Sequence, residues 1–136
     1  MSKGIFNVPI PVNEPVKTYI PGSPERVAVK AALNELRSQE IDIPMYIGGK
    51  EVRSKNLVRL APPHDHKHML GHFHKSTKEH VKQAIKAALN AKEKWEVLEW
   101  EQRASIFLKA ADLIAGPYRA KLNAATMLGQ SKNVYQ

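Results

Sequence analysis

Apolar residues recur along this chain with two periods, and each period marks a different element. Val81, Ile85, Ala88, Ala91, Trp95 and Leu98 step by four, three, three, four and three residues. That is the spacing of one face of an amphipathic helix. Ser76-Thr77-Lys78-Glu79 precedes it as a capping box, in which a hydroxyl meets the free amides and a carboxylate three residues on reaches back. Val29, Ala32, Leu33 and Leu36 show the same spacing upstream. Ser23-Pro24-Glu25-Arg26 opens that first helix with a capping hydroxyl, a proline at the first helical position and an acid at the positive end. The pattern ends near Ser38. A third helix is predicted from about Glu101 to Ala115 and a fourth from Pro117 to about Leu128. Gly116-Pro117 divides them, with glycine accepting a left-handed cap and proline preventing continuation. Gly129 reads as the end of the fourth helix and Ser131 as the cap of another.

The strand period is shorter. Pro44 to Arg53 predicts a hairpin whose turn is Gly48-Gly49, a pair that tolerates positive φ. Leu57, Val58 and Leu60 predict a further short strand, stopped by Pro62-Pro63. An alternating strand follows from about His68 to His74. Residues 1–22 carry Pro9, Pro11, Pro15 and Pro21, so they predict an extended arm rather than a helix or central strand. Interleaved apolar residues such as Ile5, Phe6, Val8 and Ile10 imply that the arm lies against a surface, its own or a neighbour's.

The third and fourth helices depart from the stripe expected of a surface helix. Ala104, Ile106, Phe107, Leu108, Ala110, Ala111, Leu113, Ile114 and Ala115 cover well over half the circumference of the third. Tyr118, Ala120, Leu122, Ala124, Ala125, Met127 and Leu128 do the same for the fourth. A helix apolar on most sides is buried on most sides. These residues are expected to sit inside a larger body.

Composition narrows the class. The 136 residues suit one domain with a modest core. Hydrophobic residues at 43% and charged residues at 25% exclude wholesale disorder. No run of apolar residues is long enough for a membrane-spanning helix. There is no cysteine, which removes disulfides, thiolate zinc sites and a cysteine nucleophile from this chain. The net charge of +8 is spread, with 9 basic and 6 acidic residues in 1–60 and 12 and 7 in 61–136. A nucleic-acid binder more often gathers its charge on one stripe or tail. The opening residues show neither a secretory core nor an Arg-rich presequence, so a cytoplasmic location is the default.

Few residues carry a chemical signal. His64, His66, His68, His72 and His74 crowd into one segment, and imidazoles two apart on a strand share a face. With no thiolate and only Asp65 as a nearby carboxylate, the reading is a polar loop and edge strand that retains nickel weakly, with no metal site. Lys78, Lys82 and Lys86 form a basic row at helical spacing, read as a solvated face. Gly48-Gly49 and Gly129-Gln130-Ser131-Lys132 lack the spacing of phosphate loops and read as turn and cap. Glu96, Glu99 and Glu101 flank Trp95 and Trp100 at a helix junction, read as solvated acids beside tryptophans packed in the core. No catalytic, cofactor-binding or metal residue is assigned.

The order of segments resembles the opening of the aldehyde dehydrogenase superfamily. The resemblance runs from Tyr46-Ile47-Gly48-Gly49-Lys50-Glu51-Val52, through the Pro-His loop and the helix to Trp95, to Arg103-Ala104-Ser105-Ile106. Asn13-Glu14-Pro15-Val16, Gly22-Ser23-Pro24-Glu25-Arg26, and Phe107 to Pro117 continuing into Ala125 to Lys132 are similar to its L-glutamate γ-semialdehyde (1-pyrroline-5-carboxylate) dehydrogenase branch.

The resemblance implies an α/β fold: an extended arm over 1–22, then an incomplete N-terminal segment of the NAD-binding domain over 23–136. It implies NAD-dependent oxidation of the semialdehyde to glutamate in proline catabolism, by a cysteine thiolate with help from a glutamate. It also implies a homo-oligomer at full length, and the mitochondrial matrix if the source is eukaryotic. Neither nucleic acid nor membrane is an expected partner. The chain resembles only the opening quarter of such enzymes and lacks their nucleophile, so alone it is expected to be an inactive fragment. The alternative is a stand-alone basic, His-rich module that binds metal or nucleic acid.

Overall fold

The computed structural model describes residues 4–136; Met1, Ser2 and Lys3 of the expected arm lie outside the described residues. Nine elements follow one another: α1 (Pro24–Arg37), β1 (Ile41–Ile43), β2 (Met45–Ile47), β3 (Lys50–Val52), β4 (Leu57–Leu60), β5 (Gly71–His74), α2 (Lys78–Glu96), α3 (Trp100–Ala115) and α4 (Arg119–Gln130). Residues 4–20 carry no regular structure, and a turn at 21–22 leads into α1. Ser23 caps α1, its Oγ accepting from the Arg26 amide at 3.4 Å.

The strands form two small sheets. β2 and β3 are the hairpin, with Met45 opposite Val52 and Ile47 opposite Lys50. Gly48 and Gly49 hold φ of 60° and 76° in its turn, the left-handed region where a side chain would be strained. The second sheet has the order β1-β5-β4. β5 therefore lies in the middle of its sheet, which corrects the expectation of an edge strand at His72 and His74. β1 is an element the pattern did not reveal, being only three residues of exposed Ile-Asp-Ile. It pairs parallel to β5, Ile41 with Gly71 and Asp42 with His72, while β4 pairs antiparallel on the other side. The strand expected from His68 begins only at Gly71. Gly71 has φ of +140°, and a Cβ there would lie 2.0 Å from the Ile41 carbonyl oxygen.

Three helix ends differ from their sequence signals. Thr77, not Ser76, caps α2, and the side chain reaching back is the imidazole of His80 rather than the carboxylate of Glu79. The Thr77 amide donates to His80 Nδ1 at 3.1 Å, and the His80 amide to Thr77 Oγ1 at 3.4 Å. Gly116 closes α3 with φ of −101°, not in a left-handed cap. α4 runs through Gly129 to Gln130 and ends on Ser131 at φ of 55°, so Ser131 closes a helix instead of opening one. The helix continues because Gly129 costs it only modestly, and Ser131 is held in the left-handed region with its hydroxyl against the His64 amide and ring.

The core lies where α1 packs on α4. That packing buries Val29 and Ala32 on α1 and Ala124 and Leu128 on α4. None of the residues of α2 or α3 is buried. On α3, Ile106, Phe107 and Ile114 are each more than half exposed. Among the described residues the broad apolar surface read from the sequence is present and left largely uncovered.

Candidate functional site

The parallel pairing of β1 with β5 sets Asp42 beside His72. Side chains two apart on a strand share a face, so His74 joins them. Asp42 Oδ1 lies 2.8 Å from His74 Nε2 and 3.1 Å from His72 Nε2. His74 is buried, and its Nδ1 faces the Ser54 backbone, 2.7 Å from the carbonyl and 2.9 Å from the amide. The hairpin supplies a second layer. Arg53 Nε donates to Asp42 Oδ2 at 2.9 Å, Arg53 Nη1 to Glu51 Oε2 at 2.7 Å, and the Tyr46 hydroxyl to Glu51 Oε1 at 2.9 Å.

This chain of polar contacts ties the two sheets together. The Arg53 guanidinium, and then His74, hold the Asp42 carboxyl below its usual range. The Tyr46 hydroxyl, followed by Arg53, does the same for Glu51. Tyr46 is in turn pushed up by its bond to Glu51, and Arg53 by Asp42 and then Glu51. Asp42 had escaped the sequence reading because nothing in the linear pattern places residue 42 against residues 72 and 74.

The other histidines go elsewhere. The His64 ring and backbone amide both meet Ser131 Oγ, at 2.7 and 3.1 Å. The carbonyls of His66, Lys67 and His68 accept from the Arg59 guanidinium at 2.8 to 3.2 Å. Asp65, the carboxylate expected near the histidines, instead pairs with Arg37 at 2.5 Å. That guanidinium holds the Asp65 carboxyl below its ordinary range.

Lys78, Lys82 and Lys86 are exposed along α2. Gly48-Gly49 is a turn and Gly129 a helical residue, so neither builds a phosphate loop. Trp95 and Trp100 do not pack into a core. They are 38% and 50% exposed and meet Phe107 and Phe6 edge to face, at 6.4 and 6.5 Å between centroids. Trp100, Phe107 and Leu108 line one wall of a groove of about 890 Å³, whose other wall is the arm at Phe6, Val8 and Pro9.

The fold is thus a scaffold of arm, hairpin and helices, and comparison with known proteins assigns it to a family. Residues 51–136 match the model of the aldehyde dehydrogenase family. The chain belongs to that family. It is 51% identical over 132 residues to the delta-1-pyrroline-5-carboxylate dehydrogenase of Agaricus bisporus, covering 96% of this chain and 24% of that protein. It is 42% identical over 130 residues to the mitochondrial enzyme of that name from Dictyostelium discoideum, covering 96% and 23%. The crystal structure of the Mycobacterium tuberculosis delta-pyrroline-5-carboxylate dehydrogenase bound with NAD and cobalamin superimposes with a TM-score of 0.95 at 43% identity. That match covers 99% of this chain and 26% of that one.

The chain therefore spans about a quarter of the length of these relatives, and it matches the N-terminal part of their fold. The stand-alone basic module is not favoured by these relationships. No helix among the described residues is long and apolar enough to cross a membrane.

Proposed function

We propose that this chain forms the N-terminal scaffold of an NAD-dependent dehydrogenase that oxidises L-glutamate γ-semialdehyde, the open form of 1-pyrroline-5-carboxylate, to L-glutamate in proline catabolism. The observation that carries this reading is identity of 51% over 96% of the chain to an enzyme named for that substrate. Residues 1–22 are the arm, available for contacts between subunits of a homo-oligomer. Residues 23–136 open the NAD-binding domain. The chain contributes scaffold: catalytic and cofactor-binding residues are assigned to none of its positions. It holds no cysteine to supply the thiolate that the family's chemistry uses. NAD, the acceptor of the hydride, is held by the remainder of such an enzyme. A relative named as mitochondrial supports a matrix location for a eukaryotic source, with the cytoplasm as the counterpart in a bacterium.

A chimera tests this reading. This chain replaces the matching segment of the Agaricus enzyme, and turnover of the semialdehyde with NAD is measured. The expected result is a soluble chimera that retains NAD-dependent turnover, while the 136-residue chain alone shows none. A folded chimera without turnover, or turnover by the chain alone, would overturn it.

A further inference from the structure

We infer that Asp42, His72 and His74 form a binding site for a divalent first-row transition ion of the zinc or copper class. The inference is independent of the proposed dehydrogenase activity.

Three donors suited to such an ion converge, two imidazoles and a carboxylate, and one ligand atom from each lies within 4.8 Å of the others. Bonds of about 2.0–2.1 Å from nitrogen or oxygen to zinc set tetrahedral donors roughly 3.3 Å apart. The two imidazole nitrogens lie 2.8 and 3.1 Å from Asp42 Oδ1. Seating an ion among them opens these two distances by a few tenths of an ångström, with the third separation, between the imidazoles, inside the same 4.8 Å limit.

The backbone already holds the donors in place. His72 and His74 stand two apart on the central strand, and Asp42 is fixed opposite by the β1–β5 register. His74 presents Nε2 to the site while Nδ1 meets the Ser54 carbonyl at 2.7 Å. The Ser54 amide meets the same nitrogen at 2.9 Å, so the backbone clamps the far side of the ring in either tautomer and fixes the direction in which Nε2 points, as outer contacts do for metal-bound imidazoles. Arg53 occupies only Oδ2 of Asp42 and leaves Oδ1 for the ion. Its positive charge is answered by Glu51. His72 and Asp42 are about one-third exposed, so water can complete the coordination and the ion has a way in.

The test uses protein without a polyhistidine tag, stripped with chelator and titrated with zinc chloride by calorimetry. One saturable zinc equivalent is expected at this site. His72→Gln and Asp42→Asn are each expected to weaken binding by roughly tenfold or more, and His66→Gln to leave it unchanged. His72 is partly exposed, and among the described residues its ring is held by Asp42 and by an edge contact with His74, so its replacement is expected to spare the fold. Copper(II) provides a second readout. Its spin-resonance spectrum should show two imidazole nitrogens in the wild type and one in His72→Gln. Absence of saturable binding, equal weakening by His66→Gln, affinity unmoved by His72→Gln, or fewer than two nitrogens on copper would each overturn the assignment.

Discussion

Asn123 donates its side-chain amide to the hydroxyl of Tyr19 at 3.1 Å, joining α4 to the arm across 104 residues of chain. Tyr19 is buried although its neighbours in the arm are exposed, and it holds φ of 51°. Its ring meets Tyr135 edge to face at 6.2 Å, and the Tyr135 hydroxyl donates to the Thr18 carbonyl at 2.7 Å. Arg119 adds an ion pair to Glu14. The C-terminal end of the arm is thus pinned while Ile5, Ile10, Val12 and Val16 stay open. Tyr19→Phe is expected to cost about 1 kcal/mol, the usual worth of one hydrogen bond. Tyr19→Ala should cost about 3 kcal/mol, by loss of a buried aromatic. Denaturant unfolding measures both, and amide exchange should quicken over residues 14–20 before it does in α1. Equal stability of wild type and Tyr19→Ala would show that the pin holds nothing.

Gly71 gives a sharper expectation. Its φ of +140° is open only to glycine, and a Cβ would press on the Ile41 backbone at 2.0 Å. Gly71→Ala should therefore break the β1–β5 pairing and destabilise the protein by more than about 2 kcal/mol. Because that pairing places Asp42 against His72 and His74, the same variant should separate the three side chains. The chemical shifts of the two imidazoles would report the separation. A variant with unchanged melting temperature and unchanged shifts would contradict the close approach.

Elements with a strong local signal were legible in the sequence. The Ser23-Pro24 start of α1, the Gly48-Gly49 turn and the apolar series of α2 from Val81 to Trp95 each rest on contacts a few residues apart, while Leu98, read as the last of that series, lies past the helix end at Glu96. The apolar breadth of α3 also pointed to a helix that this chain does not bury, and none of its residues is buried among the described ones. What stayed hidden depends on distant pairing. β1 is too short to show a period, and only β5 makes it a strand. Consequently Asp42 could not be placed with the histidines. The cap of α2 was misread because the box rule looks for glutamate, whereas an imidazole three residues after Thr77 satisfies the same amide.

Acid should loosen the loop between β4 and β5. Asp65 pairs with Arg37, which holds its carboxyl below the ordinary value for an aspartate. The folded state then binds fewer protons than the unfolded one through the acid range. The contribution is complete above the unfolded value of about 4 and drains away as pH falls through the lower folded value. Asp65→Asn removes this dependence. Unfolding measured from pH 6 down to pH 2 should show a smaller acid loss in the variant than in the wild type. Parallel pH curves for the two proteins would mean that the pair does not act through ionisation.

The uncovered face of α3 bears on how this scaffold is used. Ile106 is 52% exposed and Phe107 67%, although burying a large apolar side chain is worth about 1.5–3 kcal/mol. A helix that presents such residues gains stability only when another surface covers it. The chain produced alone should therefore bind a hydrophobic fluorescent dye, and Ile106→Ser with Phe107→Ser should reduce that binding. In a chimera with the remainder of a related dehydrogenase, the dye signal should fall and the same two substitutions should lower the melting temperature. Serine there forfeits little more than the Trp95 ring contact on an exposed face but leaves a polar hole in a covered one, so the melting temperature should fall much further in the chimera than in the chain alone. If the isolated chain melts cooperatively as a monomer without binding dye, the face needs no cover and the scaffold role fails with it.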